Sequence, residues 1–417
     1  MGNHEELDSI VKRFLIVLGV IIVIGAVMVL SSSYLYSREV HSSAAYIFLK
    51  QMIYLMIGFI GAFIMYRMKF KFWQKLTFVG HASIALMMIL TLIPGIQHSV
   101  NGASRWINLG FMGLQPGEML KFSTLLFSIQ YFDSFTTMPK NEKISKGLWL
   151  LAPLGILVIQ PDFGTFSICC LVMAFTCFLS NFPRKIFYGA IPVGLALGAM
   201  ILVSQPYRVR RLFAFLDPWK NPRGSGFQII QSLFGFANGG IVGEGLGNSN
   251  EKLFYLPEAH NDFIFSVIGE ELGFLGVVVL VGLFITFVYQ GMKIATKIED
   301  RYGAMVVSAV TYTIGLQAFL NMGVVLGLLP TKGLNLPFVS YGGTSLIMNC
   351  VGVGIILSVY RYQQRLNAPR TSGFENFTSD HSSYYNGQRF GQQRSFSESQ
   401  SFTRDSNSEE QQNFPGF

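Results

Sequence analysis

The chain has 417 residues, 51% hydrophobic and 13% charged, with a formal net charge of +8 and a mean hydropathy of +0.42. Its apolar residues come in blocks of bilayer length rather than as alternating faces, which excludes a water-soluble globular enzyme and predicts a polytopic helical membrane protein. The charge does not point to nucleic acid, because most of the basic residues fall in short loops between apolar blocks, where membrane topology accounts for them.

Ten spans are predicted, near 14–30, 46–66, 76–93, 117–132, 147–160, 164–181, 186–204, 263–290, 303–325 and 344–360. The first of them is followed by further spans and lacks a cleavage site, so it is read as a span and not as a removable signal. Lys12/Arg13, Arg67/Lys69/Lys71/Lys75, Lys140/Lys143/Lys146, Arg184/Lys185, Lys293/Lys297/Arg301 and Arg361/Arg365 fall on every second side. The expected fold is therefore an all-α polytopic protein of about ten transmembrane helices with both termini cytoplasmic. A large extracytoplasmic loop, 205–262, lies between spans 7 and 8. It is glycine-rich at Gly239-Gly-Ile-Val-Gly-Glu-Gly-Leu-Gly247 and is expected to form turns and short helices covered by protein or water. Cys169, Cys170, Cys177 and Cys350 sit in apolar segments without paired spacing and read as packing residues. Residues 1–366 form the membrane domain, and 367–417, rich in Ser, Gln, Asn and Gly, reads as a disordered cytoplasmic tail.

Under this topology the polar clusters share the extracytoplasmic face. Glu118 and Lys121 are three apart on one helix face, either as a structural ion pair or with Lys121 free to hold a phosphate. In Gln160-Pro-Asp162 the proline breaks a helix, and Asp162 is expected to cap the next one through Thr165. Arg105 beside Trp106 suits a lipid interface or a sugar or phosphate ligand, and Arg208, Arg210 and Arg211 suit anionic headgroups or an anion clamp. Lys332 and Ser340 lie in the polar connection before the last span and are further candidate contacts. The densest cluster is Glu258-Ala-His-Asn-Asp262 with Glu270 and Glu271. Pro257 is expected to start a helix through Glu258, Asp262 and Glu270, with Asp262 and Glu270 about 12 Å apart, too far for a close carboxylate pair. Glu270 and Glu271, inside the span, require partners, a basic side chain on a neighbouring helix being the expected one for Glu270. His260 has no second histidine at ligand spacing and reads as a support for the backbone. Asp262, at the water boundary near several cations, is the carboxylate best placed to accept a proton. The metal is left open by the sequence.

Gly102-Ala-Ser-Arg-Trp106, Gln115-Pro-Gly-Glu118, Gln160-Pro-Asp-Phe-Gly-Thr165, Pro257-Glu-Ala-His-Asn-Asp-Phe-Ile-Phe265 and Leu336-Pro-Phe-Val-Ser-Tyr-Gly-Gly-Thr-Ser345 occur in this order. Together they resemble the SEDS family of bacterial shape, elongation, division and sporulation proteins, over about 14–366. Lys332 in Leu328-Leu-Pro-Thr-Lys-Gly333 makes the chain more like the division member than the elongation member. Gly117 and Asn261 depart from the family pattern without touching the acids. The resemblance implies polymerisation of peptidoglycan from lipid II at the outer face of the bacterial cytoplasmic membrane, at the division septum. It implies Asp262 as the catalytic carboxylate and a class B penicillin-binding protein, a transpeptidase, as partner among other division proteins. Because a lipid diphosphate leaves as a stable anion, one carboxylate base suffices and direct displacement inverts the donor. Positive charge for the leaving group would come from Arg105, Lys121, Arg208, Arg210, Arg211, Lys332 or a divalent cation, Mg or Mn. The competing readings are a lipid II flippase and a non-catalytic division scaffold.

Overall fold

A computed structural model describes residues 2–93, 97–100, 103–108, 110, 112–204, 206–224, 226–249, 256 and 258–367. All of them belong to the unit Met1–Asn367. The tail expected beyond it, together with Lys252, Tyr255, Pro257 and the side chain of Arg208, lies outside the described residues.

Among the described residues twelve α-helices run in chain order: α1 Gly2–His41, α2 Tyr46–Arg67, α3 Phe70–Leu90, α4 Pro116–Ser134, α5 Lys140–Ile159, α6 Phe163–Leu179, α7 Arg184–Val203, α8 Pro206–Leu216, α9 Phe227–Gly239, α10 Ile264–Thr296, α11 Arg301–Val325 and α12 Gly343–Asn367. Each predicted span falls on one of these helices. Six of them, α1, α2, α7, α10, α11 and α12, are long and apolar enough to cross a bilayer. The protein is a multi-pass membrane protein. Its core is built on α10, α11 and α12, with α1, α2 and α4 packed around them. Small residues allow the closest approach: a Cβ on Gly58 would stand 3.0 Å from Cys350 Sγ, and Gly354 lies directly against the Ala62 backbone. Cys169, Cys177 and Cys350 are buried and unbridged, as packing residues should be.

The connection 94–116 is not simply a loop. It contains a three-stranded antiparallel sheet, β1 Gln97–Val100, β2 Ala103–Asn108 and β3 Gly113–Leu114, so the fold is mostly rather than wholly helical. The run Ala103-Ser-Arg-Trp-Ile107, with Trp and Ile at its end, carries part of that signal in the sequence. The 205–262 segment holds α8, a short 3-10 turn at Pro218–Lys220 and α9, the turns and short helices expected of it.

Within α10, Gly273 leaves helical geometry at φ 66° and ψ −169°. The break removes the helix's own bonds from Phe274 N to Glu270 O and from Leu275 N to Glu271 O. The glycine-rich turn replaces both. Glu244 N donates to Glu270 O at 3.0 Å and Gly245 N to Glu271 O at 3.1 Å, while Gly240 O accepts from Phe274 N at 2.9 Å and Ile241 O from Leu275 N at 3.2 Å. Backbone polar groups exposed at membrane depth are thus satisfied by a second segment of chain. A Cβ on Gly273 would stand 2.6 Å from Ile241 O, in a left-handed conformation that disfavours any side chain. Gly273→Ala is therefore expected to cost about 2 kcal/mol or more, read as a lowered unfolding temperature of the detergent-purified protein.

Candidate active site

Asp262 sits in a turn and not in a helix. Residues 258–263 are turns, Glu258 has φ +61°, and Asn261 N and Phe263 N both donate back to Glu258 O, at 3.0 and 3.3 Å. The left-handed residue blocks the helix expected from Pro257, and α10 begins only at Ile264. Asp262 and Glu270 therefore do not share one continuous helix. Asp262 is instead held from α11: Asn321 Nδ2 donates to Asp262 O at 2.8 Å and to Leu334 O at 2.5 Å. A Cβ on Gly333 would stand 2.9 Å from Asp262 Oδ2, so the 331–342 segment lies against the carboxylate with no room for a side chain there.

The same segment is tied to α4 and α6. Gln317, one helical turn before Asn321, donates through Nε2 to Asn335 O at 2.9 Å, and its Oε1 accepts from Lys121 Nζ at 2.6 Å. Lys121 also pairs with Glu118 at 2.7 Å, and both side chains are buried. Of the two readings open for Lys121, the structure shows the ion pair. Lys332 Nζ donates to Ser167 Oγ at 2.8 Å, and Leu334 packs on Gly164. Asp162 caps α6 as expected, accepting from Thr165 N at 3.2 Å and from its hydroxyl at 2.9 Å. Gly117 lies over Asp162, with the space of its missing Cβ 3.5 Å from Oδ2. Arg105 clamps β2 to the turn between α5 and α6, donating to Gln160 O at 3.1 Å and Pro161 O at 2.6 Å. Trp106 packs on Gly113. Arg211 reaches the same neighbourhood, donating to Thr331 O at 3.4 Å, and Arg210 is exposed.

Ser340 is buried and its hydroxyl accepts from Leu336 N at 2.7 Å, which shapes the turn before α12. Glu270 accepts from the Ser249 hydroxyl, and Glu271 accepts from Ser31 Oγ on α1 at 2.7 Å. His260 supports the backbone, its carbonyl accepting from Tyr341 N at 3.0 Å while its ring lies 5.0 Å from Tyr36 and 5.9 Å from Tyr341. Gln317, Asn321, Gly333 and Ser167 were not singled out from the sequence. The amides at 317 and 321, four apart inside an apolar span, were the available signal.

Electrostatically, Asp262 is a carboxyl group held among acids. Its residue is half-buried by surface, and protein surrounds the carboxyl group itself. Burial, then the charges of Glu258 and Glu118, push it up to about 7, Arg211 opposing and Asp162 adding. Burial also lowers His260, with Glu258 pulling the other way, and lowers Lys332.

Among the described residues no three His, Cys, Asp or Glu side chains converge, Glu118 is paired with Lys121, and Asp162 is spent on its cap.

The model of the cell cycle protein family of FtsW, RodA and SpoVE matches residues 12–365. The chain belongs to this family. Among its FtsW/RodA/SpoVE relatives, a probable peptidoglycan glycosyltransferase FtsW of Coxiella burnetii is 39% identical over 352 residues, covering 81% of this chain and 93% of the relative. One of Trichlorobacter lovleyi is 38% identical over 344 residues, 80% and 89% respectively. In fold, a solved chain from a study of how a peptidoglycan synthase complex coordinates polymerization and crosslinking matches with TM-score 0.67 at 27% identity, over 84% of this chain and 97% of that one. The rod shape determining protein RodA of Thermus thermophilus matches with TM-score 0.62 at 25% identity, over 84% and 96%.

Proposed function

We propose that this chain is a peptidoglycan glycosyltransferase that joins lipid II disaccharides into glycan strands, with Asp262 as the single base. The observation that carries the reading is the placement of Asp262: a carboxyl group pushed up to about 7, fixed by Asn321 and backed by Gly333, with Arg211 near enough to act on its charge and Lys332 next to Gly333 in the 331–342 segment. The names of the FtsW relatives support it.

In this reaction the acceptor's 4-hydroxyl oxygen bonds to the anomeric carbon of the donor, and the bond from that carbon to the lipid diphosphate breaks. The hydroxyl proton passes to Asp262, and the diphosphate leaves as an anion met by Lys332, Arg211 and the neighbouring arginines. Attack opposite the leaving group inverts the anomeric centre. Lys121, locked between Glu118 and Gln317, acts by holding α4, α11 and the 331–342 segment together.

We further read all ten predicted spans as membrane-crossing, 1–366 as the catalytic domain with 205–262 extracytoplasmic, 367–417 as a tail, and both termini as cytoplasmic. Asp262 then faces the outer leaflet, where lipid II is available. The partner is a class B penicillin-binding protein at the division septum, a reading supported by the synthase complex to which the matching solved chain belongs. A divalent cation, Mg or Mn, would be shared between the substrate's phosphates and one or two carboxylates.

The charge state of Asp262 supplies the test. Only its ionised form accepts a proton, so polymerisation should rise with pH through an apparent midpoint near 7 and then level off. Initial rates of lipid II polymerisation by the purified protein from pH 5.5 to 8.5 check this. A rate flat across pH 6 to 8 contradicts Asp262 as the titrating base.

A further inference from the structure

At the end of the bundle opposite Asp262, α2, α3 and α12 leave a cleft of about 230 Å³. α12 starts at Gly343 beside Tyr54 and reaches Arg361 eighteen residues later, about 27 Å along its axis, which places the cleft at the other membrane face. Lys69, Lys71, Arg361 and Arg365 line it, and among the described residues none of the four forms an ion pair. α3 begins at Phe70, so the N-terminus of a 21-residue helix, with the positive end of its dipole, lies at the cleft.

The rim is built rather than loose. Trp73 Nε1 donates to Ser358 Oγ at 3.2 Å, Ser358 Oγ donates to Met68 O at 3.3 Å, and the Phe70 and Tyr362 rings lie 5.0 Å apart. Arg361 has a second use, donating to Tyr66 O and Arg67 O at 3.2 Å and so satisfying the last carbonyls of α2. Lys69, Lys71 and Arg365 are exposed. On α2 and α3, Phe63, Ile64, Phe72 and Leu76 are exposed apolar side chains. Cations, a helix N-terminus and exposed apolar side chains together match an anionic phosphate carried on acyl chains.

We propose that this cleft is a phosphate site, filled by the headgroup of an anionic phospholipid from the leaflet opposite Asp262 or by a soluble phosphate. A lipid seated there joins α2, α3 and α12, and α12 carries the 331–342 segment's far attachment at Gly343.

Native mass spectrometry of the full-length protein in neutral detergent tests it. The probes are short-chain phosphatidylglycerol, phosphatidylcholine of the same chain length, and inorganic phosphate. Wild type should retain one phosphatidylglycerol saturably and phosphatidylcholine weakly. K69Q/K71Q/R365Q, which spares the α2 cap made by Arg361, should bind at least about tenfold more weakly. K12Q/K140Q/K185Q, which removes the same charge from exposed sites outside the cleft, should bind as wild type does. R365Q alone should lose about fivefold, which keeps the test valid if the triple variant misfolds. Displacement of phosphatidylglycerol by millimolar inorganic phosphate would assign the site to a soluble anion, and persistence of the lipid would assign it to the headgroup. Equal losses in the two triple variants, or no saturable binding by wild type, would overturn the proposal in favour of a diffuse surface field.

Discussion

Lys121→Met is expected to destabilise the protein by about 3–5 kcal/mol, because it leaves the buried Glu118 carboxylate without its countercharge. The same change also strands Gln317 Oε1, which accepts from Lys121 at 2.6 Å, and an unsatisfied buried acceptor costs about 1–3 kcal/mol by itself. Removing both charges, in Glu118→Gln with Lys121→Met, should recover a large part of the loss, since an uncharged pair no longer pays desolvation. Polymerisation should fall in the single variant and partly return in the double one, because the pair acts through Gln317 and Asn335 on the segment that backs Asp262. Equilibrium unfolding in detergent for the two single variants and the double one measures the coupling directly. A Lys121→Met cost below about 1 kcal/mol would mean that the pair does not hold α4 to α11.

Asp262→Asn should lower the polymerisation rate by about 10²–10⁴-fold, the range for loss of a general base, while lipid II binding stays close to that of wild type. The amide fills the same space against Gly333, and Asn321 bonds the backbone carbonyl and not the side chain, so local structure is kept. The variant should also be more stable than wild type at alkaline pH. The folded protein raises the carboxyl from its ordinary 3.8 to about 7, so the wild type favours the protonated form, and stability present below pH 4 is lost as pH rises through 7. The Asn side chain does not titrate, so the unfolding temperature of Asp262→Asn should exceed that of wild type above pH 7 and converge with it in acid. Loss of activity together with loss of lipid II binding would make Asp262 a binding group instead of a base.

The elements that crossed legibly from sequence to structure are those governed by local composition. Each apolar block is a helix, Asp162 caps α6 through Thr165, and the glycine-rich 239–247 segment forms turns against the spans. What was illegible depends on contacts between distant segments. The helix expected from Pro257 gives way at Glu258, whose positive φ is held in a turn lying between α11 and the 331–342 segment. The Ser249 and Ser31 hydroxyls that meet Glu270 and Glu271 come from the long loop and from α1, contacts that no local pattern encodes. The kink at Gly273 needs four hydrogen bonds from residues about thirty positions upstream, and no local propensity encodes that exchange. Ser340 lay in a motif of functional character, and its hydroxyl accepts from Leu336 N. Asn321, which fixes Asp262, was hidden as one amide in an apolar run.

The central claim is that Asp262 is the base of a lipid II polymerase, and polymerisation of labelled lipid II in proteoliposomes tests it most directly. Wild type and Asp262→Asn are reconstituted with a cognate class B transpeptidase, and the products are resolved by length. Wild type should yield a ladder of β-linked glycan and Asp262→Asn none at equal protein density. A ladder of equal length and yield from the Asn variant would contradict the claim.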